Sequence, residues 1–165
     1  MAASIRAYVA LGSNLAAPAA QLQRAMAALS QHPHMALQQQ SQLYRSPPMA
    51  GMQQPDYCNA VVAIDTTLLP LALLDALQQI EQQQGRERQQ RWGARTLDLD
   101  LLLYGDQTVA HPRLTIPHYG MAERAFVLIP LFEIAPALQL PSGTALASLV
   151  AQCPPQPLAL YSIEA

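Results

Sequence analysis

The chain has 165 residues, 51% hydrophobic and 12% charged, with a formal net charge of −2. This composition excludes a disordered chain, and the length allows one globular domain over residues 1–165 to bury its own core. The near-neutral balance excludes nucleic-acid binding by bulk electrostatics, and because all nine basic residues are arginine, any cation offered to a ligand is a forked guanidinium.

A lone Arg6 precedes a short apolar stretch, Ala7 to Leu11, too brief for a signal peptide or a membrane span; a soluble cytoplasmic protein is the expectation. Arg6 to Leu11 reads as a buried strand ended by a turn at Gly12-Ser13-Asn14. Beyond Pro18, Leu22, Ala25, Met26 and Leu29 fall at i, i+3, i+4, i+7 and predict an amphipathic helix that stops at His32-Pro33. Met35 to Arg45 has a rough period of two and predicts one strand, with Met35, Leu37 and Leu43 on one face. SPPMAGMQQPD, residues 46–56, has the proline and glycine content of a loop.

YCNAVVAIDT, residues 57–66, predicts a strand; Pro70 then opens a helix with Leu73, Leu74, Leu77 and Ile80 as its stripe and Gly85 past its end. A polar loop with Arg86, Arg88 and Arg91 leads into the strand LDLDLLLY. The order β-α-β-β-α-β predicts an α+β fold, a ferredoxin-like core whose antiparallel sheet carries two helices on one face. A hairpin at HPRLTIPHYG and helices near 123–135 and 145–153 would cover the other face or edge, giving three layers, α-β-α. Cys58 and Cys153 lack the spacing of a zinc site or disulfide framework and read as reduced thiols packed as small apolar residues.

Chemistry concentrates at Asp98 and Asp100. Successive strand side chains alternate faces, so these two point the same way, separated by roughly 6–7 Å. Carboxylates cannot be buried unpaired; they must protonate, pair with arginine, bind a cation or face solvent. Hard oxygen ligands suit Mg²⁺, which takes its remaining ligands from water and phosphate. A bare D-x-D is also what a polar outer strand face looks like. Arg86, Arg88, Arg91 and Arg95, interleaved with Trp92, stand just upstream as phosphate forks, or as a solvated loop that pairs with Asp98. Tyr57 and Asn59 share a strand face, an aromatic plate beside an amide, which suits a flat heterocycle; packing alone also produces such pairs. The absence of G-x-x-x-x-G-K-[ST] and G-x-G-x-x-G excludes P-loop and Rossmann nucleotide sites.

RWGARTLDLDLL resembles the signature of the 6-hydroxymethyl-7,8-dihydropterin pyrophosphokinase family. ALGSNL at 10–15, LYRSPP at 43–48, QPDYCNAV at 54–61, IEQQQGRER at 80–88, RLTIPH at 113–118 and PLFEIAP at 130–136 are similar to that family's segments, in its order. The resemblance implies transfer of pyrophosphate from ATP to the pterin hydroxymethyl group in folate biosynthesis, releasing AMP, with two Mg²⁺ ions held by Asp98 and Asp100. It implies that Tyr57 and Phe126 sandwich the pterin while Asn59 reads its edge, and that the loop of Ser46, Pro47 and Met49 adds contacts. Gln78, Glu81, Arg86, Arg88, Trp92, Arg95, Leu101, Arg113, Thr115, His118, Tyr119 and Arg124 fall where the family binds ATP or closes over it, with Arg86 and Arg95 also in catalytic roles. Its partners would be these two small molecules, with no nucleic acid or membrane, and a monomer is the default. The chain departs from the family pattern at Gln89, where lysine is usual, and at Ser46, Met49 and Ala94. Two other readings stand beside this one: a metal-dependent phosphoryl or nucleotidyl transferase with another acceptor, and an RNA-binding ferredoxin-like module.

Overall fold

The computed structural model describes residues 3–47, 56–85 and 97–161. β1 (Ile5–Ser13) leads into α1 (Pro18–Gln31), where Pro18 occupies the first helical turn and needs no N–H partner. The expected stripe of Leu22, Ala25, Met26 and Leu29 is buried, together with Gln21. β1 runs two residues beyond the expected strand: Gly12 and Ser13 are strand residues paired with Asn59 and Cys58, so the turn expected at Gly12-Ser13-Asn14 is corrected. Cross-strand pairing overrides the turn-rich composition there.

The single strand expected over Met35 to Arg45 is two strands, β2 (Met35–Gln40) and β3 (Tyr44–Ser46), both paired with β4 (Tyr57–Thr66). Ser41 makes the break. Its backbone N–H donates to the Val61 carbonyl at 2.9 Å, while its hydroxyl accepts the Val61 N–H at 3.0 Å and so takes the place of a ladder carbonyl. A register shift between Leu37 and Gln39 adds to the irregularity.

α2 (Pro70–Gly85) and β5 (Leu97–Tyr104) follow, the helix including Gly85 as its last residue. The antiparallel sheet has the order β5-β1-β4-β3, as the ferredoxin-like reading requires, with β8 (Ala159–Leu160) added on β3. β6 (Val109–His111) and β7 (Leu114–Ile116) form the expected hairpin. A 3₁₀ turn at Met121–Glu123 precedes α3 (Ala125–Ile134), and α4 is Leu146–Gln152.

Side-chain alternation divides the core into two layers. Ala7, Val9 and Leu11 of β1, Ala60, Val62 and Ile64 of β4, and Leu97, Leu99 and Leu101 of β5 pack under α1 and α2. Tyr8, Ala10, Val61 and Ala63 face the opposite way and join Leu128 and Leu131 of α3 and Leu146 of α4. Each buried leucine contributes about 2–3 kcal/mol by area. With both sheet faces covered, the open platform that an RNA-binding reading needs is taken by α3 and α4. No helix among the described residues is long and apolar enough to cross a membrane.

Candidate active site

The strand face carrying Asp98 and Asp100 is the one that α3 covers farther along. On β5, Leu97, Leu99 and Leu101 are buried against the helices, whereas Asp98 is exposed and Asp100 half-buried. Opposite Tyr8 and Val9 the register slips, with Val9 paired to Leu101 and Tyr8 to Leu103. This bulge inserts Leu102, and Leu102 and Leu103 both enter the layer beneath α3. The polar end of that face opens into a cavity walled by the first turn of α3.

A cavity of about 470 Å³ opens there. Its floor comes from Ala10 and Gly12 of β1, Asn59 and Tyr57 of β4, and Asp98 and Asp100 of β5; Ser46, Pro47, Arg124 and Phe126 add walls. Register explains the grouping, because Gly12 lies opposite Asn59 on one side and Asp98 on the other. Tyr57 is presented by the sheet and Phe126 by the helix packed over it. Asn59 is buried, and its Nδ2 donates to Ser46 Oγ at 2.7 Å. The Oδ1 acceptor and the second Nδ2 hydrogen are what this amide has left for a ligand. The Arg124 guanidinium stands 5.9 Å above the Phe126 ring, a cation–π arrangement.

A second cavity of about 390 Å³ lies along the free edge of β5, between α2 and the β6–β7 hairpin. Gln78, Glu81, Leu101, Arg113, Thr115, His118 and Tyr119 line it, and so does Asp100, which is shared by both cavities. Arg124, expected with the nucleotide group, lines the first cavity instead.

Glu81 Oε2 accepts the Leu99 N–H at 2.6 Å, capping the edge of the strand between the two aspartates. Burial pushes the Glu81 carboxyl up to about 7; the Leu99 N–H opposes this, and the charges of Asp98 and Asp100 reinforce it. His118 is half-buried, and its Nδ1 accepts the Gly120 N–H at 3.3 Å, leaving Nε2 as the donor. Burial lowers the His118 pKa, Asp100 raises it and Arg124 lowers it, with burial the largest effect, so the ring is a neutral donor beside the carboxylates. Tyr119 stacks on His118 at 5.2 Å and is otherwise exposed. Arg113 Nη2 is held by Asp75 Oδ1 at 2.5 Å and Gln78 Oε1 at 3.3 Å, which aims its guanidinium from the hairpin toward α2.

Among the described residues no group of three or more His, Cys, Asp or Glu side chains is placed to hold a metal. Two carboxylates on one strand face nevertheless fit Mg²⁺, which draws its other ligands from water and phosphate. The charges of Asp98 and Asp100 add to the rise of the Glu81 pKa, of which burial is the largest cause.

A family model for 7,8-dihydro-6-hydroxymethylpterin-pyrophosphokinase matches residues 8–136. The chain belongs to this pyrophosphokinase family. Its relatives include a 2-amino-4-hydroxy-6-hydroxymethyldihydropteridine pyrophosphokinase of Pseudomonas aeruginosa, 55% identical over 90% of this chain and 92% of that one. The Haemophilus influenzae protein of the same name is 54% identical with the same coverage of each chain. Among solved structures, Plasmodium falciparum wild-type HPPK-DHPS with pteroate shares the fold, with a TM-score of 0.69 at 14% identity. The match covers 90% of this chain, which spans 42% of the Plasmodium chain.

Within the family's segments, the expected residues Asp98, Asp100, Tyr57, Asn59, Ser46, Pro47 and Phe126 converge on the first cavity, and Gln78, Glu81, Leu101, Arg113, Thr115, His118 and Tyr119 of the expected nucleotide group on the second. Met49, Arg86, Arg88, Trp92 and Arg95 lie outside the described residues. The sequence reading did not pick out Ala10 and Gly12 in the floor, nor Asp75 behind Arg113. β1 reads as buried on both faces, so alternation alone gave no sign that one end of it would be cavity floor.

Proposed function

We propose that the chain transfers pyrophosphate from ATP to the hydroxymethyl group of 6-hydroxymethyl-7,8-dihydropterin, giving AMP and the pterin diphosphate, the folate-biosynthesis step for which its family is named. The observation that supports this reading most strongly is the meeting of two cavities at Asp100. One has the aromatic walls and amide floor of a heterocycle site. The other has the arginine, neutral histidine and edge amides of a nucleotide site.

In this reading Tyr57 and Phe126 flank the pterin ring and Asn59 Oδ1 accepts an N–H from its edge. Ser46 fixes that amide and Pro47 adds to the wall, and Met49 is assigned to the pterin by the family resemblance. Gln78, Leu101, Thr115 and Tyr119 border the nucleotide, while Arg113, His118 and Arg124 donate to its phosphates. Glu81 caps β5 and keeps both aspartates in line. Arg86, Arg88, Trp92 and Arg95 are assigned to ATP by the family resemblance, with Arg86 and Arg95 neutralising charge on the transferred group. Asp98 and Asp100 would hold two Mg²⁺ ions, which would supply charge neutralisation for an in-line displacement. The hydroxymethyl oxygen attacks the β-phosphorus and loses its proton, and the bond from that phosphorus to the bridging α,β-oxygen breaks. The protein's contribution is positioning and electrostatics, not a covalent nucleophile. We take the working unit to be a single-domain monomer.

Asp98→Ala and Asp100→Ala test the reading. Each should lower Mg²⁺-dependent AMP release by at least about 100-fold while circular dichroism remains that of the parent. Near-parent turnover in either variant would remove the metal assignment.

A further inference from the structure

Gly12 has no structural reason to be glycine. Its φ is not positive; among the described glycines only Gly105 and Gly143 have that conformation. It is not at a bulge, because its pairing with Asn59 and Asp98 runs in step with its neighbours and the register slip lies at Tyr8 and Val9. No backbone or core side chain claims its space. A Cβ built on Gly12 would meet one heavy atom within 4 Å, Asn59 Oδ1 at 3.4 Å, an ordinary van der Waals contact. Glycine in a strand interior weakens the strand, and where no bend or bulge requires it, it marks a place where something approaches the backbone closely.

What would approach follows from the register. Asn59, Gly12 and Asp98 form one row across β4, β1 and β5, with strands about 4.8 Å apart. Along the same face of β1, side-chain size falls from Tyr8 under α3 to Ala10 and then to Gly12 in the cavity floor. A molecule that engages Asn59 and presents a reactive arm to Asp98 must therefore cross β1 over Gly12. The amide gives one of its two Nδ2 hydrogens to Ser46, and its acceptor, Oδ1, is the atom a residue-12 side chain would cover.

We propose that Gly12 is a specificity-determining position: its missing side chain keeps Asn59 Oδ1 uncovered and leaves the passage through which the pterin's hydroxymethyl arm reaches the metal carboxylates. This inference rests on the pyrophosphokinase reading above. It makes residue 12 the gauge of the acceptor site, while the nucleotide cavity on the far edge of β5 is independent of it.

The test is calorimetry with 6-hydroxymethyl-7,8-dihydropterin on the full chain, in Mg²⁺ and a non-hydrolysable ATP analogue, for the parent, Gly12→Ala and Gly12→Val. Nucleotide titrations and thermal melts accompany it. One carbon too many in a fitted pocket is worth roughly 10–200-fold, so the pterin Kd should rise about tenfold for alanine and more than about 100-fold for valine. Affinity for the ATP analogue alone should stay within about twofold, because a discriminating pocket loses only the ligand it fits. Melting temperatures should hold or rise, since both residues suit a strand better than glycine. Gly12→Ala guards against a folding defect, because its methyl has room. Parent-like pterin affinity in Gly12→Val, or an equal loss of nucleotide affinity, would overturn the proposal. A parent protein that binds nucleotide but no pterin would instead overturn the functional reading, and this inference with it.

Discussion

Replacing Glu81 by glutamine should stabilise the metal-free protein at pH 8 and leave its stability unchanged at low pH. The carboxyl is half-buried with its pKa pushed from 4.5 to about 7, chiefly by burial. Because the folded-state pKa is raised, the unfolded chain holds fewer protons than the folded one between these values, and stability falls as pH rises from 4.5 through 7. The whole displacement would correspond to roughly 3 kcal/mol. Glu81 remains partly solvated, so screening reduces the expected cost at pH 8 to about 1–2 kcal/mol. Glutamine keeps an oxygen to accept the Leu99 N–H and removes the charge that crowds Asp98 and Asp100. Urea unfolding in EDTA, at pH 8 and at pH 4.5, measures both ends of the window. Glu81→Gln should gain about 1–2 kcal/mol at pH 8, or about 2–8 °C in Tm for a domain of this size, and the gain should vanish at pH 4.5. A variant less stable than the parent at pH 8, or a gain independent of pH, would refute the reasoning and mean that the Glu81 carboxylate is well compensated.

Three further outcomes are expected. Gln21 in α1 is fully buried, and neither of its amide atoms has a hydrogen-bond partner in the structure. Gln21→Met should therefore stabilise by about 1–3 kcal/mol in denaturant melts, and a loss of that size would mean the amide is satisfied. Burial pushes the Cys58 thiol up to about 12 and leaves it fully enclosed, whereas Cys153 is half-buried. A thiol reagent at pH 8 should label Cys153 in the native protein and Cys58 only after urea is added. Asp75→Ala should release the Arg113 guanidinium, raising KM for ATP by about 1.5- to fivefold, the range for a solvent-exposed ion pair, with KM for the pterin unchanged.

Local pattern made the strand of Asp98 and Asp100 legible. LDLDLLLY occupies residues 97–104 as read, and alternation correctly set Asp98 and Asp100 apart from Leu97, Leu99 and Leu101. The bulge at Leu102 was not legible, because three consecutive leucines carry no parity. Gly12-Ser13-Asn14 looked like a turn since those residue types dominate turns; what holds Gly12 and Ser13 in a strand is pairing with residues more than 40 positions away in sequence. Ser41 likewise divides one apparent strand into two through a side-chain bond to Val61 that no periodicity reveals. In the site, Tyr57 and Asn59 followed from alternation, whereas Phe126 and Arg124 came from family resemblance alone. Gly12 and Asp75 needed the register and the hairpin's placement.

The central claim is that two phosphoryl groups move together. Incubating the chain with ATP, Mg²⁺ and 6-hydroxymethyl-7,8-dihydropterin, and resolving the products by phosphorus NMR and mass spectrometry, tests it directly. The account predicts equimolar AMP and pterin diphosphate. Formation of ADP with a pterin monophosphate, or of AMP with free pyrophosphate and unchanged pterin, would contradict it.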